Sequence, residues 1–291
     1  MIVNLLRLSK NNHYTSFFLE NQGNVKKTWD GIRNLINVSK KKCAPPNKIK
    51  YNDEIKTSNI DMANSFNDFF TNIGSSIEAK IPKSKKSFSS FLGEPNNNSV
   101  FLTPVDNKEI FLLIGQMKSS KACGPNSIPS NLLIEFSELL LYPLVSIINM
   151  SLKEGVFPNL NKIATVCPIH KKGDKTHCEN YRPISLLSNI SKLFERVMYV
   201  RIEFFFKSSD ILYKYQFGFR RQHSTNHALF SIVEKIRSSL DKKMYTCGVF
   251  IDLEKAFDTV NHNILLSKLN HYGIRGAANL WFSSYLSSHN S

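Results

Sequence analysis

Along this chain, apolar residues recur at three- and four-residue steps in several stretches, and each such stretch predicts an amphipathic helix. The clearest covers residues 61–80. Met62, Ala63, Phe66, Phe69, Phe70, Ile73 and Ile77 form one stripe there, read as packing surface, and Ile81-Pro82 ends it. Trp29, Ile32, Leu35 and Ile36 mark a shorter helix that stops at Lys40-Lys41-Lys42. Residues 104–117 place Val105, Ile110, Leu113, Ile114 and Met117 on one side. The greasy region 132–150 contains Glu135, Glu138 and Pro143, which suits a buried helix pair better than a membrane span. A long helix over 188–206 turns Ile190, Leu193, Phe194, Val197 and Met198 inward, with Lys192, Arg196 and Arg201 away from that stripe. Ser224 is an expected N-cap for a helix burying Ala228, Leu229, Ile232, Val233, Ile236 and Leu240. A last helical pattern runs through Leu265, Leu266 and Leu269.

Two regions read as strand. Residues 157–169 lead to a turn at Gly173-Asp174, and residues 181–187 form the return limb of a hairpin. Residues 245–251 are rich in β-branched and aromatic side chains, with Cys247, Val249 and Ile251 on one face and Thr246, Gly248, Phe250 and Asp252 on the other. Residues 82–99 are rich in Ser, Lys, Asn and Pro and read as a flexible linker. The expected organisation is a basic helical segment over 1–81, that linker, a helical lead-in over 100–150 and a mixed domain over 151–291. No internal repeat is visible.

Charge changes the picture more than length does. The 291 residues carry 38 Lys+Arg against 23 Asp+Glu, a formal charge of +15. Such an excess favours a polyanionic partner, nucleic acid or an acidic membrane surface. Between Lys162 and Arg221 there are twelve Lys/Arg and five Asp/Glu, a dense basic band that suits a nucleic-acid track. Its aromatics, Tyr213, Tyr215, Phe217 and Phe219, are assigned to core before stacking. The five cysteines form no CxxC pair, which fits reduced thiols in an intracellular protein. His170, His177 and Cys178 match no usual zinc spacing. Arg7 and Lys10 interrupt the N-terminal apolar run before it reaches signal-peptide length.

Two constellations carry chemistry. In the first, Lys172 and Arg182 come side by side if the hairpin limbs pair, a point charge and a planar fork suited to phosphate. In the second, an apolar strand ends in Asp252, at a rim where a cation or phosphate can reach it. For an isolated aspartate, a helix cap or turn role is the alternative.

In combination these segments resemble the reverse transcriptases of non-LTR, LINE-type and jockey-like retrotransposons. The run FIDLEKAFDTVNH at 250–262 is similar to their first metal-binding motif, the hairpin with Tyr181-Arg182-Pro183 to their fingers hairpin, and Gln216-Phe-Gly-Phe-Arg220 to the next block. Gly124-Pro125-Asn126 looks like their Gly-Pro-Asp element, with Asn126 where Asp is usual. The resemblance implies an α+β fold: a partial right-hand polymerase (fingers and first part of the palm) preceded by a helical N-terminal segment. It implies Asp252 as catalytic metal ligand with the Leu253 carbonyl beside it, and Mg²⁺, two ions in the complete enzyme. Lys171 or Lys172 with Arg182 would hold the incoming deoxynucleoside triphosphate. Phe257 would screen the sugar 2′-position, and Arg220 and Arg221 would meet the template. Asp258 belongs to the motif without being a metal ligand.

The implied partners are an RNA template, a DNA primer and deoxynucleoside triphosphates, with no membrane. No Asp-Asp pair occurs in the 291 residues. The expectation is therefore a fragment ending before the aromatic-X-Asp-Asp block, inactive alone. The alternative is a non-enzymatic basic protein that binds nucleic acid.

Overall fold

The computed structural model describes residues 2–36, 46–82, 84–118, 124, 128–253 and 255–287. The Lys40-Lys41-Lys42 cluster, and all of 121–127 except Gly124, lie outside them. Contacts divide the chain into two units at Asn47/Lys48.

The first unit is a helix pair, α1 (Ile2–Glu20) and α2 (Val25–Leu35). Asn24 caps α2 by accepting a hydrogen bond from the Lys27 amide at 3.1 Å. Gly31 lets the helices approach, because a Cβ there would sit 2.6 Å from the Phe17 ring.

The second unit opens with a hairpin that the sequence reading missed. β1 (Ile49–Tyr51) pairs with β2 (Glu54–Lys56), with Asn52 and Asp53 both at positive φ (50° and 61°). Asn-Asp between two short alternating limbs was the available signal. α3 (Asn59–Glu78) follows, one or two residues from its expected bounds. Its stripe packs as expected: Met62 and Phe66 join Ile49, Cys178 and Tyr181 in a small buried cluster.

The main core is helical. α4 (Asn107–Gly115), α5 (Ser130–Glu135), α6 (Ser137–Glu154), α7 (Asn189–Ser208) and α10 (Ala277–Leu286) surround Ile110, Ile148, Leu193, Phe194 and Trp281. Phe157 was expected at the start of a strand. It lies instead in this core, edge-on to Phe194 (5.7 Å), Trp281 (5.2 Å) and Tyr285 (4.9 Å). The strand proper, β3 (Thr165–His170), begins later and pairs antiparallel with β4 (Tyr181–Leu186). With helices dominating and two small antiparallel sheets, the architecture is compatible with the α+β class.

The expected linker over 82–99 has anchors. A short 3₁₀ turn covers Phe88–Phe91, and the Asn96 amide donates to the His271 carbonyl at 3.0 Å. Arg275 donates to the Asn96 carbonyl (2.6 Å) and to Ser99 Oγ (3.1 Å). These bonds fasten the stretch to the connection between α9 (His262–His271) and α10. The contact boundary falls before α3, because α3 packs on β4 through Phe66 and Tyr181.

Three expectations need correcting. Arg201 was placed on the outer face of its helix and is buried. Its guanidinium forks onto both oxygens of Glu109 (2.8 and 3.0 Å) and also donates to the carbonyls of Thr103 (2.7 Å) and Val197 (3.1 Å). With those acceptors, a charge can sit inside. Residues 245–251 form no ladder: Val249, Phe250 and Ile251 are 81–89% exposed. A strand needs a neighbour for its amides and carbonyls, and none pairs with this one among the described residues. Finally, α8 (Thr225–Asp241) forms with its Ser224 cap, yet Leu229, Ile232, Val233, Ile236 and Leu240 are all exposed. Helical periodicity gave the element correctly and its burial wrongly.

The Arg201 fork makes a stability prediction. Glu109→Ala leaves a buried guanidinium without its carboxylate and is expected to cost about 2 kcal/mol or more. Replacing both, as Arg201→Met with Glu109→Leu, should cost clearly less. Urea unfolding midpoints of the two variants test this, and equal losses would show that the pair is ordinary packing.

Candidate functional site

The hairpin register decides which cations share a face. Ile169 lies opposite Arg182 and His170 opposite Tyr181, and cross-strand partners project to the same side. Tyr181 points to α3, where it meets Phe66 at a ring separation of 4.8 Å. Arg182 therefore points away, beside Ile169 and Ile184, on a face exposed to solvent. Pairing runs one residue past β3: the Lys171 amide donates to the Asn180 carbonyl at 2.8 Å. By strand alternation Lys171 joins the Arg182 face and Lys172 starts the loop.

That loop is longer than the tight Gly173-Asp174 turn expected. It spans residues 172–179, and Gly173 adopts φ 82° against the Asn180 side chain. Asp174 accepts from the Thr176 amide at 2.9 Å, and this bond holds its carboxyl below the usual range. The loop base is pinned by Cys178, whose thiol burial pushes up to about 11, and by Tyr181 donating to the Lys175 carbonyl at 2.7 Å. The Lys50 amide also donates to the Thr176 carbonyl at 2.7 Å. The basic residues thus stand on a fastened loop.

Asp252 and Leu253 lie in the exposed, unpaired stretch, and no strand rim carries them. The turn that follows is docked. Lys255 (φ 48°) lies over the Phe69 ring at 4.8 Å, and Asn261 donates to Glu78 at 3.3 Å. A Cβ on Gly74 would collide with the Asp258 carbonyl oxygen, so α3 and this turn meet backbone to backbone. One helix thus touches both constellations: the hairpin through Phe66 and the post-Asp252 turn through Phe69, Gly74 and Glu78. The sequence showed the stripe on α3 but not what it would pack against.

Phe257 stands edge-on to Phe219, with centroids 5.8 Å apart and planes at 89°. The block containing Phe219 and the motif containing Phe257 are brought together by this ring contact. Phe219 (φ 57°), Tyr213 and Tyr215 are exposed, against the expectation of core. Lys214 and Lys235 flank the Tyr215 ring at 5.0 and 4.3 Å. Arg220 donates to the Tyr213 carbonyl at 3.4 Å and Arg221 pairs with Glu203 at 3.4 Å.

Mg²⁺ takes one or two carboxylates together with phosphate and water oxygens. Asp252 with the Leu253 carbonyl fits part of such a shell. Among the described residues, no group of three or more His, Cys, Asp or Glu could hold a metal. No helix among them is long and apolar enough to cross a membrane.

Residues 169–291, from the end of β3 onward, match the family described as reverse transcriptase (RNA-dependent DNA polymerase). The chain is 34% identical over 190 residues to the probable RNA-directed DNA polymerase from transposon BS of Drosophila melanogaster, covering 63% of this chain and 21% of that protein. It is 34% identical over 179 residues to the RNA-directed DNA polymerase from mobile element jockey of the same species (61% and 20%). A third relative, the probable RNA-directed DNA polymerase from transposon X-element, is 34% identical over 162 residues (55% and 18%). The chain spans about a fifth of the length of these relatives. Over residues 169–291, the chain is similar to the reverse transcriptase family.

Proposed function

We propose that this chain supplies the nucleotide-binding hairpin and the first metal-binding carboxylate of an RNA-directed DNA polymerase of a non-LTR retrotransposon. In that reading the β3–β4 hairpin is part of the fingers and residues 245–271 open the palm. The observation that carries it is the register that puts Lys171 and Arg182 on one solvent-facing side of a pinned hairpin, inside the family-matched region.

A triphosphate laid on that face meets a compact ammonium and a planar guanidinium, and each charge-assisted bond contributes about 1.5–3 kcal/mol. Phe257, held edge-on by Phe219, is the bulk that would exclude a ribose 2′-hydroxyl. Arg220 and Arg221 are assigned to the RNA template, with a DNA primer as the second strand. Asp252 and the Leu253 carbonyl would hold one divalent cation. A pair of such ions about 4 Å apart neutralises charge on the transferred phosphoryl and its leaving group, and that pair needs carboxylates besides Asp252. Asp252 reaches its place at a sheet rim only when residues 245–251 gain a strand partner.

Two outcomes are expected. In equilibrium binding of a deoxynucleoside triphosphate, Lys171→Glu and Arg182→Glu should each weaken affinity about tenfold or more, and Lys172→Glu about threefold at most. Equal losses at Lys171 and Lys172 would show that general charge, not the register, is at work. Separately, Asp252→Asn should remove the Mg²⁺ dependence of triphosphate binding while leaving salt-sensitive RNA binding within about twofold. Mg²⁺ dependence that survives in Asp252→Asn would remove Asp252 from the site. Were triphosphate binding absent and RNA binding intact, the chain would be a nucleic-acid-binding protein without the nucleotide site.

A further inference from the structure

The stripe on α3 has a spacing that bears on the site. Phe66, Phe70, Gly74 and Glu78 follow at steps of four, so they form one line along the helix. At 1.5 Å per residue that line is about 18 Å long. The hairpin occupies its beginning: Phe66 meets Tyr181 and stacks on Phe70 at 5.8 Å, and Ile49 of β1 joins the same buried cluster. The turn after Asp252 occupies its end, at Gly74 and Glu78, with Phe69 beside the line under the Lys255 ammonium.

Two residues of this arrangement call for an explanation. Gly74 is the one glycine among the twenty residues of α3, where alanine would lose less conformational entropy on folding. Its φ is not positive, so no left-handed turn requires it. What it permits is the approach of the Asp258 carbonyl, into the space that a Cβ would fill. Gly115 in α4 gives the contrast, since a Cβ there would meet nothing within 4 Å. Lys255 lies in the motif that carries Asp252, yet its ammonium is placed over the Phe69 ring, 4.8 Å from the centroid. The negative face of the ring attracts it, which makes the lysine a tether to α3.

We propose that α3 sets the separation between the hairpin face carrying Lys171 and Arg182 and the carboxylate of Asp252, with Gly74 and Lys255 as positioning residues that touch neither nucleotide nor metal. The function proposed above supplies what the two ends do; the contacts alone supply how they are held. Mg²⁺ demands near-ideal octahedral geometry with oxygens at about 2.0–2.1 Å. Asp252 and phosphates on the hairpin can share one such shell only at a fixed spacing. Residues 245–251, exposed and without a ladder partner among the described residues, cannot set that spacing themselves. α3 lies outside the family-matched residues, so this assignment adds a part that the match does not cover.

Hydrogen exchange read by mass spectrometry on the full chain tests the strut without any nucleotide. The reporting amides are those of Asp258 and Thr259, which donate to the Lys255 carbonyl at 2.9 and 3.2 Å. Gly74→Ala should speed their exchange about tenfold or more, while the β3–β4 amides stay within about twofold. If α3 were only a packed helix, alanine would stabilise it and these amides would exchange unchanged or about two- to fivefold more slowly. That result would overturn the proposal. Gly115→Ala should leave the turn unaltered. Lys255→Met should speed the same two amides about threefold or more, with Lys255→Arg restoring them; an unmoved turn in Lys255→Met removes the lysine from the strut. A second readout is deoxynucleoside triphosphate binding with and without Mg²⁺. Gly74→Ala should keep the Mg²⁺-free affinity within about twofold and lose most of the gain that Mg²⁺ gives. A loosened turn with the full gain retained would also overturn the proposal, because the separation would then not matter. Should the unsubstituted chain gain nothing from Mg²⁺, the nucleotide reading is what fails, and exchange at the turn alone decides whether α3 holds it.

Discussion

The second unit depends on what is done with Phe157. It leaves the C-terminus of α6 at Gly155, which takes φ 67°, and its ring enters a cluster of Phe194, Trp281 and Tyr285. Those partners come from α7 and α10, so one ring ties together three helices spread over residues 137–286. Polar groups fix the geometry: the Phe157 amide donates to Ser284 Oγ at 3.0 Å, and Trp281 Nε1 donates to Ser151 Oγ at 3.0 Å. The Ser151 hydroxyl in turn donates a hydrogen bond to the Val156 carbonyl at 2.5 Å. Edge-on aromatic contacts and satisfied donors together make this corner more specific than apolar area alone would. With α6 and α10 locked, β3 leaves the core in a fixed direction, and the hairpin face follows from it.

The same requirement for partners explains the region around Asp252. α8 has the stripe of a buried helix, and residues 245–251 have the composition of a buried strand, yet both face solvent in the structure. Sheets and amphipathic helices are half-structures: each satisfies its backbone or its apolar face only against a neighbour. Where a neighbour exists, as for β3 and β4, the element forms with a single register. Where none pairs, local propensity makes a helix but cannot make a strand, because helix hydrogen bonds are internal and strand bonds are not.

Legibility followed that distinction. Helices read well from sequence: α3, α4 and α7 lie within a few residues of their expected bounds, and the Ser224 cap accepts an amide as its position suggests. The hairpin limbs were legible, while the register and the eight-residue loop were not, because Gly173-Asp174 resembles a tight turn. Arg201 was misread because periodicity locates a face of a helix and says nothing of Glu109, ninety-two residues away, waiting to accept it. The Asp252 motif stood out in the sequence through its resemblance. Its attachment to α3 was not, since Gly74 against Asp258 is a long-range backbone contact with no local signature.

That attachment gives α3 a role beyond packing. Phe66 holds the hairpin face that lacks Arg182, and Phe69, Gly74 and Glu78 hold the turn after Asp252. The helix precedes the family-matched residues by about ninety positions in sequence, yet it joins the two constellations within that region. A phosphate-binding face and a metal-binding carboxylate act on one substrate only at a fixed separation, since small misplacements of a reacting group cost large factors in rate. The chain therefore places part of the precision of its candidate site outside the residues that carry the chemistry, on a helix whose sequence shows nothing but an aromatic stripe.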